Sequence, residues 1–393
     1  MTFALVFPGQ GSQSTGMMQP FADENIVRET FAEASEALGQ DLWELVAEGP
    51  AEQLNATVNT QPVMLTAAYA VYRLWRERGG ALPAIVAGHS LGEYTALTAS
   101  GALSFEDGVR LVVERADAMH EAGTTNPGTM AAVLGLDDDQ VEVACRRADS
   151  DVWVANFNAP GQIVIAGSAA GVEAAGAVAK ELGAKRVMPL QVSGAFHTPY
   201  MTAARERLRN AIAAAAPRDT EVPIVSNVDA LAHASGEEWS ALLSAQLSSP
   251  VRWKHCLLTL EESGVTGLVE LGPGGVLTGM AKRTVENLRT ISVATPDELD
   301  KLIEWVDASA PIGAAQHEGE HLFAVERLVV SPAAGVFSPS DVSVGDQIHV
   351  GTVLGSVGGT EVRSPFAGIV QNFIAVEGER VTAHQPIAWL RAH

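Results

Sequence analysis

The chain is 393 residues long, 47% apolar and 18% charged, with a net charge of −22. This composition describes a large-cored globular protein of two or three domains and excludes a disordered chain. The acidic balance argues against nucleic acid as a partner, because nothing would neutralise phosphates along a duplex.

No apolar run is long enough to cross a membrane. The opening Met1–Phe7 lacks a basic flank and runs into Pro8-Gly9, so it reads as a buried first strand and not as a signal peptide. Cys145 and Cys256 are far apart, without metal-ligand or redox spacing. A reducing cytoplasm and no metal site are expected. Apolar runs at Ala84–Ala87, Gln162–Ala166 and Gly267–Leu271 read as buried strands. Helical periodicity covers Phe31–Leu38, Gly108–His120 and Ala169–Leu182. The alternation predicts an α/β fold with a largely parallel sheet.

Residues 128–197 read as a subunit of their own. The order is strand Thr129–Leu134, helix Asp138–Arg147, strands Val152–Asn156 and Gln162–Ala166, helix Ala169–Leu182 and strand Lys185–Pro189. That is the split βαβ, or ferredoxin-like, pattern. It is inserted in a core formed by 1–127 and 198–306. Composition changes after Trp305, so 307–324 is expected to be a linker. The remainder, 325–393, is rich in Val, Gly, Ser and Pro and echoes itself. Gly345-Asp346-Gln347-Ile348 returns as Gly378-Glu379-Arg380-Val381, and Leu354 and Val357 return as Ile387 and Leu390. An all-β unit with a twofold internal repeat follows.

Gly88-His89-Ser90-Leu91-Gly92 fits G-x-S-x-G after a strand and before a helix, the context of a nucleophile elbow. Small residues let the turn close and expose Ser90 Oγ at a helix N-terminus, where negative charge is favoured. Such a serine needs a base. His197, after a strand-like segment, is the best candidate; its residue context fits catalysis and core packing equally. His89 is the rival, but its place on the turn suits a supporting or contact role.

Five ordered segments carry a resemblance: Phe7–Gln13, Gly88–Tyr94, Asn156–Gln162, Gly194–His197 and Glu270–Gly274. Over residues 1 to about 305 the chain resembles the malonyl-CoA:acyl carrier protein transacylases. The resemblance implies an α/β-hydrolase-like core with an inserted ferredoxin-like subdomain. It also implies a ping-pong reaction in which Ser90, activated by His197, takes the malonyl group from coenzyme A and passes it to the phosphopantetheine thiol of an acyl carrier protein. No bound cofactor is implied; malonyl-CoA is a substrate. By the same resemblance the backbone N–H groups of Gln10 and Leu91 form the oxyanion hole. Arg115 holds the free malonyl carboxylate through two parallel hydrogen bonds, although taken alone it would be a solvated helix charge. Gln246 matches the residue that orients the histidine, where hydrolases use an acid. Asn158 and Asn227 fall near the pocket, though both also suit turns. Phe196 resembles malonyl-selective members and is expected to crowd a 2-methyl branch. Carrier proteins are usually acidic, so docking calls for a local basic patch. Lys282 and Arg283, with Lys185, Arg186 and Arg205 as neighbours, are its candidates, ordinary surface decoration being the competing explanation.

The tail resembles a biotinyl or lipoyl carrier domain, a flattened β-barrel of two interlocked halves. The resemblance rests on Val344-Gly345-Asp346, Val362–Val370 and Val376–Glu379. Such domains carry a modified lysine on a hairpin tip. Here the tip is Gly358-Gly359, and no lysine follows Lys301. Neither biotin nor lipoate is expected, and the unit is read as a scaffold for a protein partner or self-association. Two other functions compete: an acyl-thioester hydrolase on the same scaffold, and a non-catalytic assembly subunit acting through the tail.

Overall fold

Residues Phe3–Phe7 form the first strand, β1, and it is buried along its whole length. The computed structural model describes residues 2–308, 326–383 and 385–391. Successive side chains of a strand face opposite ways. Phe3, Leu5 and Phe7 join one buried cluster while Ala4 and Val6 join another, so both faces of the sheet are covered by helices. Strand β2 spans Ile85–Gly88 and pairs parallel to β1 with Phe7 opposite Gly88.

The next four strands belong to the insert: β3 (Thr129–Leu134), β4 (Val152–Ala159), β5 (Gln162–Gly167) and β6 (Arg186–Pro189). They form a sheet in the order β4-β5-β3-β6 with every pair antiparallel. The helices Asp138–Arg147 and Ala169–Glu181 pack on it over a core of their own. Strand β4 runs three residues beyond its expected end at Asn156. Irregularities at Val154/Asn156 and Phe157/Ala159 let it bend and continue pairing. Asn158 therefore sits in a strand and not in a turn.

The main sheet is completed by β7 (Ile224–Val225), β8 (Ala232–His233), β9 (Gly267–Leu271) and β10 (Arg289–Val293). Its order is β10-β9-β1-β2-β7-β8, parallel except for the β7–β8 pair. Because β1, β2 and β9 are adjacent and parallel, the loops that leave their carboxyl ends emerge side by side. That edge is where α/β sheets place ligands.

The final helix of this unit, Pro296–Ala308, overruns the expected linker start by two residues. Leu299, Leu302 and Val306 form a buried stripe that carries it past the change in composition. The rest of the expected linker lies outside the described residues. The chain divides into two units, 1–311 and 312–393.

The second unit contains β11 (Glu326–Val330), β12 (Gly335–Pro339), β13 (Gln347–Ile348), β14 (Val353–Val357), β15 (Thr360–Arg363), β16 (Gly368–Phe373), β17 (Arg380–Val381) and β18 (Pro386–Arg391). They make two four-stranded sheets, β11-β18-β16-β13 and β15-β14-β12-β17. The repeat noted from Gly345 to Gly378 maps each strand of one sheet onto its counterpart in the other. Hydrogen bonds follow the same symmetry. Gly345 N donates to Val370 O at 2.8 Å and Gly378 N to Phe337 O at 2.9 Å; Ser331 N donates to Gln385 O at 2.8 Å and Ser364 N to Thr352 O at 2.9 Å. The matching pair Ser331-Pro332 and Ser364-Pro365 extends the repeat beyond the segments read from sequence. Each sheet takes strands from both halves, so neither half closes a core without the other. The β14–β15 hairpin turns at Gly358 and Gly359, with φ of 59° and 87°, as a tight two-residue turn requires.

Candidate active site

The segment after β2 makes a turn that only small residues permit. A Cβ on Gly88 would lie 1.9 Å from Gly92 backbone atoms, and one on Gly92 would lie 2.0 Å from Phe7 O. Between these glycines Ser90 adopts φ +52°, a left-handed backbone uncommon for serine. Its N–H donates to Asn227 Oδ1 at 2.7 Å, and Asn227 Nδ2 donates to Gly88 O at 2.8 Å. Asn227 thus clamps the turn from behind. It is fully buried and does not line the cavity, contrary to its expected place at the substrate.

His197 enters from the loop after β6, also with a left-handed φ of +61°. Its Nε2 lies 2.7 Å from Ser90 Oγ and its Nδ1 3.0 Å from the backbone oxygen of Gln246. A carbonyl accepts only, so Nδ1 carries the proton and Nε2 presents its lone pair to the serine hydroxyl. Burial, then the nearby Arg115 charge, pushes His197 down to about 3. The imidazole is therefore a neutral acceptor across the working pH range. Gln246 meets the histidine through its main chain; its side chain goes elsewhere.

Arg115 is 1% exposed and lies on the buried stripe of the helix Phe105–Thr125, with Leu111, Val112, Met119 and Ala122. Its Nη1 donates to Gln61 Oε1 at 2.7 Å, and its Nη2 to Ser90 Oγ and Gln246 Oε1, both at 3.0 Å. Nε has no acceptor. The Tyr94 ring lies beneath the guanidinium, 5.3 Å from its carbon. No carboxylate forms a salt bridge with this cation among the described residues.

Two polar residues that sequence reasoning missed complete the network. Gln61 anchors Arg115 from a Pro-containing helix, Thr57–Glu77. Glu93, fully buried, accepts from Asn227 N at 2.6 Å and from Gln246 Nε2 at 2.5 Å. Burial raises its carboxyl to about 8, against the pull of those donors and of Arg115. The signal was present: a glutamate directly after G-x-S-x-G, followed by the buried run Tyr94-Thr95-Ala96-Leu97.

These groups open on a cavity of about 190 Å³ lined by Gln10, His89, Ser90, Leu91, Arg115, Asn158, Phe196 and His197 among others. That volume suits a short acyl group rather than a long chain. Gln10 and Leu91 flank Ser90 because β1 and β2 are neighbours. His89 points Nε2 at Asn158 Oδ1, 2.8 Å away, and packs edge-on against Trp253; burial lowers its pKa and keeps it neutral. Glu270, from the fifth motif, accepts Leu277 N and Thr278 N and so caps the helix Val276–Thr284. Val276, Leu277 and Met280 of that helix form part of the cavity wall. Lys282 and Arg283 end the same helix, both exposed. A larger cleft of about 870 Å³, lined by Asp138, Asp139, Glu142, Asp149 and Asp151 together with Arg146 and Arg252, lies where the insert meets the segment 250–255 and contains neither Ser90 nor His197. Among the described residues there is no cluster suited to a metal ion and no helix long and apolar enough to cross a membrane.

The acyl transferase domain family model matches residues 4–301. The chain is 47% identical over 305 residues to the malonyl CoA-acyl carrier protein transacylase of Escherichia coli K12, covering 77% of this chain and 99% of that protein. The Bacillus subtilis protein of the same name is 43% identical, with 77% and 96% covered. Among solved structures, an acyl-carrier-protein S-malonyltransferase from Burkholderia pseudomallei superposes with a TM-score of 0.75 at 50% identity, covering 77% of this chain and all of that one. A malonyl-transacylase in complex with its type II polyketide acyl carrier protein superposes with a TM-score of 0.76 at 43% identity, covering 77% and 99%.

Proposed function

The chain belongs to the malonyl-CoA:acyl carrier protein transacylase family, and on that premise we propose that its transfer reaction runs through an acyl-enzyme on Ser90. It is an acyltransferase whose substrates are malonyl-CoA and an acyl carrier protein, and it needs no cofactor. The observation that carries the site assignment is a buried cation with an empty donor: Arg115 lies beside Ser90 with Nε unpaired and, among the described residues, no carboxylate in a salt bridge with it. A free carboxylate on the acyl group is the complement of that arrangement.

Ser90 Oγ attacks the thioester carbonyl while its proton passes to His197 Nε2. The oxygen that becomes negative is received by the backbone N–H groups of Gln10 and Leu91. The proton then leaves with the coenzyme A sulfur. A thiol is a good leaving group, which explains how a weakly basic imidazole held by a carbonyl suffices where hydrolases use an acid. The carrier thiol reverses these steps. Phe196 narrows the cavity against a 2-methyl branch; His89 and Asn158 shape its wall. Gln246 orients His197 by its main chain.

Arg283 lies three and seven residues beyond Met280 and Val276, on the same helical stripe that lines the cavity. With Lys282 it supplies positive charge near the cavity mouth for an acidic carrier, while the cleft beside the insert, where five acids outnumber two arginines, repels one. The core is read as α/β-hydrolase-like, 1–127 with 198–306, and the insert 128–197 as ferredoxin-like. The twofold tail, 325–393, is read as a biotinyl/lipoyl-like barrel that carries no prosthetic group and serves as a docking or self-association scaffold. Two free, buried cysteines accord with a cytoplasmic setting.

The test is intact mass after incubation with malonyl-CoA, followed by addition of carrier protein. A malonyl adduct that moves to the carrier supports the reading, and Ser90→Ala takes none. Malonate released to water indicates a hydrolase, and no adduct at all an assembly subunit.

A further inference from the structure

We propose that Glu93 is a positioning residue for acyl-group selection: its carboxyl group holds the Gln246 amide, and through it the Arg115 guanidinium, in the orientation that receives the substrate carboxylate. The inference rests on the transferase reading above and extends it to a residue outside the cavity.

An amide has a donor end and an acceptor end, and three contacts set which way Gln246 faces. Its Oε1 accepts from Arg115 Nη2 at 3.0 Å. Its Nε2 donates to Ser90 O at 2.9 Å and to Glu93 Oε2 at 2.5 Å. Reversing the amide would put an NH2 group against a guanidinium donor and an oxygen against two acceptors. Both oxygens of Glu93 accept N–H donors and its side chain is fully buried, so no water competes for it. The other oxygen of Glu93 takes the Asn227 N–H, whose side chain clamps the elbow backbone. One carboxyl group therefore ties the anion-binding arginine to the nucleophile turn. The imidazole stands apart from this chain, because His197 is held by the main-chain oxygen of Gln246.

Substitution by glutamine tests the idea without changing size. Both oxygens of Glu93 face N–H donors, so an amide at this position sets its own NH2 against one of them. A general loss of structure, or a lost contact between Arg115 and Ser90 Oγ, lowers acylation by every thioester alike, whereas a misplaced Arg115 penalises in addition the acyl group that bears a carboxylate. The experiment measures kcat/KM for acylation by malonyl-CoA and by acetyl-CoA, with thermal unfolding in parallel. The variants are Glu93→Gln and Gln246→Ala, with Arg115→Met as reference. The malonyl-to-acetyl ratio is expected to fall at least tenfold in both test variants, mostly through KM for malonyl-CoA, and further in the reference. A ratio within twofold of wild type for Glu93→Gln overturns the proposal, whatever happens to total activity. Should that variant fail to fold, Glu93→Asp, one methylene too short to reach both donors, is read by the same ratio and the same threshold. A wild-type protein that takes no malonyl adduct overturns the transferase reading, and this proposal with it.

Discussion

Acidification separates what His197 does for chemistry from what it does to stability. Burial, and secondarily Arg115, places its pKa at about 3 in the folded protein, while a free imidazole titrates near ~6.5. Above ~6.5 the ring is neutral in both folded and unfolded chains and contributes nothing to the pH dependence. As pH falls from ~6.5 towards 3, the unfolded chain takes a proton that the native site refuses, so stability drops by about 1.4 kcal/mol per unit. At pH 4.5 the accumulated loss is on the order of 3 kcal/mol. Glu93 works in the opposite sense: raised to about 8, it binds a proton in the native state that the unfolded chain lacks from ~4.5 upwards, and that stabilisation is lost as pH rises through 8. Comparing wild type with His197→Ala cancels Glu93 and every other group. Urea unfolding in steps from pH 4.5 to 7.5 should show the steeper acid slope in wild type. Over the same window the acylation rate of folded protein, read by rapid-quench mass measurement, should stay flat because the base remains neutral. An acylation limb with an apparent pKa near 6.5, or equal stability slopes in the two proteins, would refute the reasoning.

Phe196→Leu should relax selection against methylmalonyl-CoA. A methyl group in a pocket is worth ~1–3 kcal/mol, so the ratio of malonyl to methylmalonyl acylation should fall roughly tenfold or more; an unchanged ratio removes the steric role. Lys282→Glu with Arg283→Glu should raise KM for an acidic carrier about three- to tenfold at low salt, without altering acylation by malonyl-CoA. The effect should fade at high salt, since exposed charges contribute little and are screened. Identical carrier KM values would move the docking surface elsewhere. Expressed alongside biotin and lipoyl ligases, the protein should keep its unmodified mass over the tail, and an adduct there would contradict the lysine-free reading.

Much of this protein was legible because the chemistry is written in local turns. Gly88–Gly92 announces an elbow, since no side chain fits where Gly88 and Gly92 approach backbone atoms. The insert's strand and helix order followed from periodicity, and the tail's repeat followed from self-similarity. Where the reading faltered, the cause was packing at a distance. Arg115 looked like a solvated charge, yet its spacing with Val112, Met119 and Ala122 already placed it on the buried stripe. Asn158 looked like a turn residue because the bends that prolong β4 leave no mark in composition.

By itself the sequence determined the strands β1, β2 and β9 and the order of elements in the insert, though not β7, β8 or β10, and it determined where the nucleophile turn must be and which residues could accept its proton. Local backbone geometry and side-chain periodicity decide those. Tertiary structure alone decided the partners: a main-chain oxygen instead of an acid behind His197, an asparagine behind the elbow, and a buried glutamate joined through an amide to a buried arginine. Those contacts span 49 to 153 residues of chain. They exist because adjacent parallel strands deliver distant loops to one edge, and burial there leaves each polar group only the partners the fold supplies.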